Sequence, residues 1–211
     1  MSTDFTLPQA VAFGAKGPDI GFSNESGIVG ALRSGVTYDN ELPSNRRIAA
    51  DLFTEISSPW LGSDYSMVRA GAKASYRRPL IGPFGLHLQG GLEGVMSKQG
   101  MLVPRAERLY FEGHSDVRGF QLGSAGMEQG SGFKATGRAE LEFEIVPRWG
   151  VSGALFYDAG IFGTGESAKL AHSVGGSLIM DSLLGPVRLD LALPLDGSDS
   201  PMVLLGIGGS F

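Results

Sequence analysis

Cysteine is absent from the 211 residues. That removes disulfide frameworks, thiolate metal sites and cysteine nucleophiles together, and leaves packing and backbone hydrogen bonding to hold the fold. Long apolar runs are missing too. A charge, a glycine or a proline interrupts each one before the roughly 18 to 20 residues that a membrane-spanning helix needs. A helical membrane protein is therefore excluded. A transmembrane barrel is not, because its strands need only about 9 to 11 residues with every second one apolar. Positive charge is in deficit, with 17 Lys+Arg against 22 Asp+Glu and a net charge of −5, which argues against nucleic acid as a partner. No basic patch followed by an apolar core opens the chain, so no signal peptide is visible. The 3 histidines, His87, His114 and His172, have no metal-ligand spacing. Neither a G-x-S-x-G elbow nor a phosphate-binding glycine loop with lysine occurs, so enzymatic chemistry, a metal and a cofactor are not expected.

What the chain has in abundance is glycine, 33 residues, more than twice the usual roughly 7% yet without a collagen period. It also has a strong period of two. From Arg138 to Ile145 one face reads Arg138, Glu140, Glu142, Glu144 and the other Ala139, Leu141, Phe143, Ile145. Val187, Leu189, Leu191 and Leu193 oppose Arg188, Asp190 and Ala192, and Ile48, Ala50, Leu52, Thr54 and Ile56 oppose Arg47, Asp51 and Glu55. Wound as helices these segments would smear charge around the whole surface, so they are strands.

Alternation alone does not separate a soluble sandwich from a barrel in lipid. The chemistry of the two faces does favour one. Apolar-face positions are often small, as at Ala70, Ala72 and Ala74, which pack a sandwich core poorly. The polar face mixes both charge signs with Gly and Ser (Arg69, Gly71, Lys73, Ser75, Arg77), which suits a crowded barrel interior. Aromatics gather near strand ends, at Trp60, Tyr65, Tyr76, Phe84, Trp149, Tyr157 and Phe162, where interfacial girdles lie. The fold class expected is all-β, an antiparallel transmembrane β-barrel in one domain over 1–211. Strands are expected near 7–14, 28–39, 46–57, 65–77, 84–96, 133–145, 149–160, 171–181, 186–194 and 202–211. Residues 97–132 lack sustained alternation, and so long a connection in a compact barrel is usually functional or disordered.

Inside that connection stands Val117-Arg118-Gly119-Phe120. Three further segments follow it: Glu140-Leu-Glu142-Phe143, Leu155-Phe-Tyr-Asp158-Ala-Gly160, and Asp181 through Asp190 with Leu-Gly-Pro-Val-Arg at its centre. The chain closes on an aromatic-ended strand at Phe211. In this order the motifs resemble the barrel domain of the BamA/TamA outer-membrane assembly superfamily, the bacterial surface antigen family. The tetrapeptide matches the V-R-G-[FY] that those proteins carry on a long loop folded into the barrel lumen. Phe111, Glu112 and His114 depart from the family's loop tip, and Leu183 replaces the usual proline.

The resemblance implies a latch in which Arg118 is held by inward-facing carboxylates, assigned to Glu142 and Asp158. Parity places both on the polar face, where a planar guanidinium is able to bridge two carboxylates. It also implies a Gram-negative outer membrane, or an organelle outer membrane, as the location. The implied activity is insertion or translocation of unfolded outer-membrane protein clients through a lateral seam. Membrane lipid is then a partner, and so are POTRA domains, none of which is visible in this chain, or a second copy of it. The family barrel has about sixteen strands where roughly ten are legible here. The alternative is a small self-closed or oligomeric barrel acting as a plugged pore or a passive membrane anchor.

Overall fold

The computed structural model describes residues 4–6, 13–14, 27–42, 45–98, 103–110, 115–120, 130–164, 167–183, 185–196 and 200–207. Two short strands, β1 (Asp4–Thr6) and β2 (Phe13–Gly14), precede nine longer ones. These are β3 (Val29–Leu42), β4 (Arg46–Ser57), β5 (Met67–Pro79), β6 (Phe84–Ser97), β7 (Phe133–Val146), β8 (Val151–Thr164), β9 (Ser167–Met180), β10 (Val187–Pro194) and β11 (Met202–Ile207). Each pairs antiparallel with the next in one continuous sheet, and β1 and β2 both pair with β3. Among the described residues the sheet is open, with no pairing between β11 and β1.

The alternation legible in the sequence is the alternation of this sheet. Short turns join most strands, and the positive-φ residues that tight reversals need stand in them, Asn45 after β3 and Gly150 after a 3-10 turn at Pro147–Trp149. The third strand runs three residues past the expected 39, because Asp39 and Arg47 pair across the β3–β4 hairpin and the ladder continues to Leu42 opposite Arg46. The ninth starts earlier than the expected 171, since Ser167 closes a tight hairpin opposite Thr164. Of the expected first strand, residues 7–12 lie outside the described residues, as does Phe211 at the end of the last.

Burial is inverted relative to a water-soluble fold. Leu52 is 56% exposed and Leu205 69%, while Asp158 is 0% exposed and Arg118 3%. The leucines on the apolar face of β10, Leu189, Leu191 and Leu193, are all exposed. The charged face is the interior one, and it is concave. Arg188 of β10 donates from Nη2 to Glu140 Oε1 of β7 at 2.7 Å, although β8 and β9 lie between those strands. On a flat sheet side chains standing off it three strands apart would be about 14 Å from each other. Their contact requires the sheet to curl toward its polar face.

One glycine makes part of this curl feasible. A Cβ on Gly175 of β9 would lie 2.2 Å from the Leu191 carbonyl oxygen and 2.3 Å from Cζ of Phe156, whose ring lies across it. Gly90, by contrast, has its nearest neighbour, the Thr136 carbonyl oxygen, at 3.8 Å. Gly175→Ala is expected to destabilise the sheet by about 1–3 kcal/mol through overpacking, and Gly90→Ala to be neutral or mildly stabilising. Urea unfolding of both variants in detergent checks the contrast.

Candidate functional site

The site is assembled where residues 115–120 of the long connection lie against the concave face of β7, β8 and β10. Two apolar anchors set the segment down. Val117 and Phe120, 0% and 1% exposed, pack with Phe162 of β8 and Ala171 of β9. Phe162 was expected in an aromatic girdle, but its parity on β8 turns it inward, and it serves this small core instead. Between the anchors Gly119 adopts φ +91°, a left-handed conformation that L side chains rarely take, and a Cβ there would meet Ala192 at 3.1 Å and Pro194 at 3.3 Å. The backbone therefore passes β10 in a space only glycine fits. Asp116 is tied down as well, by Lys134 of β7 at 3.0 Å.

Arg118 is thereby aimed at Asp158. Its Nε and Nη2 each donate at 2.7 Å to the two carboxylate oxygens, and its backbone N–H adds a bond of 3.1 Å to Oδ2. This is the bidentate fork that makes arginine the residue of choice for carboxylates. Nη1 reaches Glu140 Oε1 at 2.6 Å and Asp190 Oδ2 at 3.6 Å. The guanidinium carbon stands 3.5 Å from the centroid of the Phe156 ring, a cation–π contact on a desolvated face. Burial opposes the charge on Arg118, but its hydrogen bonds to Asp158 and the nearby charges of Asp158, Glu140 and Asp190 outweigh it and raise its pKa above the ordinary arginine value.

Glu142 does not join this group. It accepts from Arg77 Nη2 at 3.1 Å and lies 3.8 Å from His87 Nδ1. The reason is register. Asp158 is opposite Arg138 and Phe156 opposite Glu140, whereas Glu142 is opposite Ala154. That sets Glu142 four residues along the strand from Arg138, the residue that faces Asp158, and its carboxylate turns to Arg77 instead. The second carboxylate on Arg118 is Glu140. Besides Glu140, sequence reasoning missed Phe156, Asp190 and Arg188. Phe156 had a signal of its own, since it is a bulky aromatic on the polar parity of β8 between Ala154 and Asp158.

A second polar group borders the site. His87, Glu140 and Glu142 bring ligand-type atoms within 4.8 Å of one another, a spacing that a metal ion accepts. Arginines already fill the place of a cation there. Arg77 Nη2 lies 3.1 Å from Glu142 and 3.5 Å from His87 Nδ1, and Arg188 and Arg118 both hold Glu140. The donor set thus fits a guanidinium network better than a metal. Asp190 and Ser177 extend the network, both bonded to Arg188 at 2.7 Å. The geometry holds a loop to a wall. Among the described residues it positions no nucleophile with its base.

The register assignment is testable by double-mutant cycles on local opening of residues 115–120, followed by hydrogen exchange. Arg118→Ala combined with Glu140→Gln should show a coupling of about 1–3 kcal/mol, and Arg118→Ala with Glu142→Gln less than about 0.5 kcal/mol.

Among known proteins, the family model that matches is the Omp85 superfamily domain, over residues 31–209. No curated protein matches the sequence. The solved structures that the fold matches include the crystal structure of BamA from Haemophilus ducreyi lacking POTRA domains 1–3, with a TM-score of 0.72 at 20% identity. The superposition covers 86% of this chain and 43% of that one, so the chain spans less than half the length of the protein it resembles. At that identity the likeness is one of fold. The family match covers most of the chain, from the third strand onward, and includes the buried tetrapeptide and the strands it rests on. The chain belongs to the Omp85 superfamily of outer-membrane β-barrels.

Proposed function

We propose that this domain is a transmembrane β-barrel of a Gram-negative outer membrane that helps insert or translocate outer-membrane proteins. The observation that carries the reading is the inverted burial around a loop arginine. Leucines cover the convex face, which lipid would solvate, and the charged concave face is filled by a segment of the long connection that plants Arg118 on Asp158. In this reading residues 97–132 fold into the lumen. Val117, Arg118, Gly119 and Phe120 form the plug, and Asp158 with Glu140 the latch that holds it, in place of the Glu142 that the resemblance implied. No bond chemistry is involved. An unfolded client strand adds to an opened seam by β-augmentation.

The edge of β11, unpaired among the described residues, supports a seam and also demands a partner. Unpaired backbone groups are not tolerated in hydrocarbon, so strands beyond the described sheet, whether from the same polypeptide or a second copy, complete the wall. Among the described residues β10 and β11, of 8 and 6 residues against 14 in β7, give that margin less backbone pairing than the middle of the sheet has. POTRA domains, which the relative's name mentions, would stand on the side where clients arrive. The same open edge favours a second reading, a small barrel closed by its own N-terminal strand or by another copy and serving as a plugged pore or anchor.

Two measurements separate these. Refolded into liposomes, the domain should accelerate the membrane insertion of an added unfolded barrel protein relative to bare lipid. Equal rates would overturn the assembly reading and leave the plugged barrel. For the membrane itself, Leu92→Arg at the centre of the convex face should cost about 2–4 kcal/mol of stability in a bilayer. A change within about 0.5 kcal/mol, as for an exposed position in water, would overturn the lipid-facing assignment.

A further inference from the structure

The carboxylates that receive Arg118 do not depend on it alone. Glu140 is held from the other side by Arg188, with Nη2 and Nη1 at 2.7 and 3.3 Å. Asp190 accepts from Arg188 Nε at 2.7 Å, and Asp158 has Arg138 Nε at 3.7 Å. Each acid that touches the loop arginine thus has a second arginine, carried by a strand. A buried carboxylate stripped of its only cation would be costly. These three keep one when the loop leaves. Phe156 keeps its place too, because its ring lies across Gly175 independently of the loop.

The vacated space is shaped for one chemical group. It offers both oxygens of Asp158 side by side for a planar fork, an oxygen of Glu140 at the third nitrogen, and an aromatic face at the guanidinium carbon. An ammonium would meet those oxygens as a point charge and leave the fork and the ring unmatched. Around this group the walls select its neighbours: the contact of Gly119 with Ala192 and Pro194 admits only glycine after the arginine, and the Phe162–Ala171 floor takes apolar residues on either side.

We propose that this pocket is a guanidinium-binding site whose charge balance is built into the strands, so that Arg118 is an exchangeable occupant and a guanidinium from another molecule, foremost an arginine-glycine segment of a partner polypeptide, binds when the loop is out. The inference stands on the contacts around Arg118 and does not require the assembly activity, since its readout is the protection of the loop itself.

The test is chemical rescue in the full chain refolded into detergent micelles. Arg118→Ala should retain the β-sheet by circular dichroism while proteolysis within residues 115–120 accelerates about tenfold or more, the loss expected for charge-assisted hydrogen bonds. Added ethylguanidinium should restore most of the protection, and ethylammonium at equal ionic strength should not. Arg118→Lys should remain as open as Arg118→Ala. The double variant Arg118→Ala/Arg188→Ala, with Glu140 and Asp190 stripped of both arginines, should fail to form the sheet. Collapse of the sheet in Arg118→Ala alone would overturn the built-in balance. Absence of rescue, equal rescue by both cations, or full protection in Arg118→Lys would each overturn the guanidinium site.

Discussion

A carboxylate in the middle of a strand, with none of its surface exposed, needs a cation brought to it, and Asp158 receives one from a residue 40 positions away in the chain. Much of the architecture follows from that requirement. Residues 115–120 must lie over the concave face, and Val117 and Phe120 must find an apolar floor there. Phe162 must face inward, as its parity on β8 dictates, and Gly119 must take a backbone conformation that other residues avoid. The sheet in turn must curl enough for arginines of β5, β10 and the loop to reach acids of β7 and β8.

The inverted burial makes sense of the composition. Small apolar residues on the convex face cost nothing where lipid rather than a facing sheet fills the gaps, and packing between layers is not the source of stability. Stability comes instead from continuous hydrogen-bonded ladders between long strands and from paired charges inside. Glycine serves both. It lets rings such as Phe156 lie flat across a neighbouring strand, as at Gly175, and so makes room for a guanidinium above the ring.

The charge network holds the segment at 115–120 firmly while leaving the wall a charge balance of its own. Arg118 contributes the fork, the ring contact and the strongest bonds, but Arg138 and Arg188 belong to the wall. A latch made only of the loop arginine and bare acids would leave buried anions behind on opening. Here the strands carry their own countercharge. Membership in the Omp85 superfamily and the fold shared with a BamA barrel place this arrangement in a protein class built on outer-membrane barrels.

The strands and their faces were legible in the sequence because side-chain alternation is a local property of extended backbone. Arg138, Glu140, Glu142 and Glu144 share a parity whatever the neighbours do, whereas Val117 to Phe120 stood out through their resemblance to a family motif. Which of the two glutamates meets Arg118 was not legible. That choice depends on register, which accumulates through every hairpin between β6 and β10, including the irregularity between Glu144 and Val146, and a single parity class contains both candidates. The ring of Phe156 beneath the guanidinium and the reach of Arg188 across two strands are likewise decisions of tertiary curvature. The sequence by itself determined which residues face inward; only the folded sheet, by bringing strands distant in sequence to one concave surface, decided which of those residues touch.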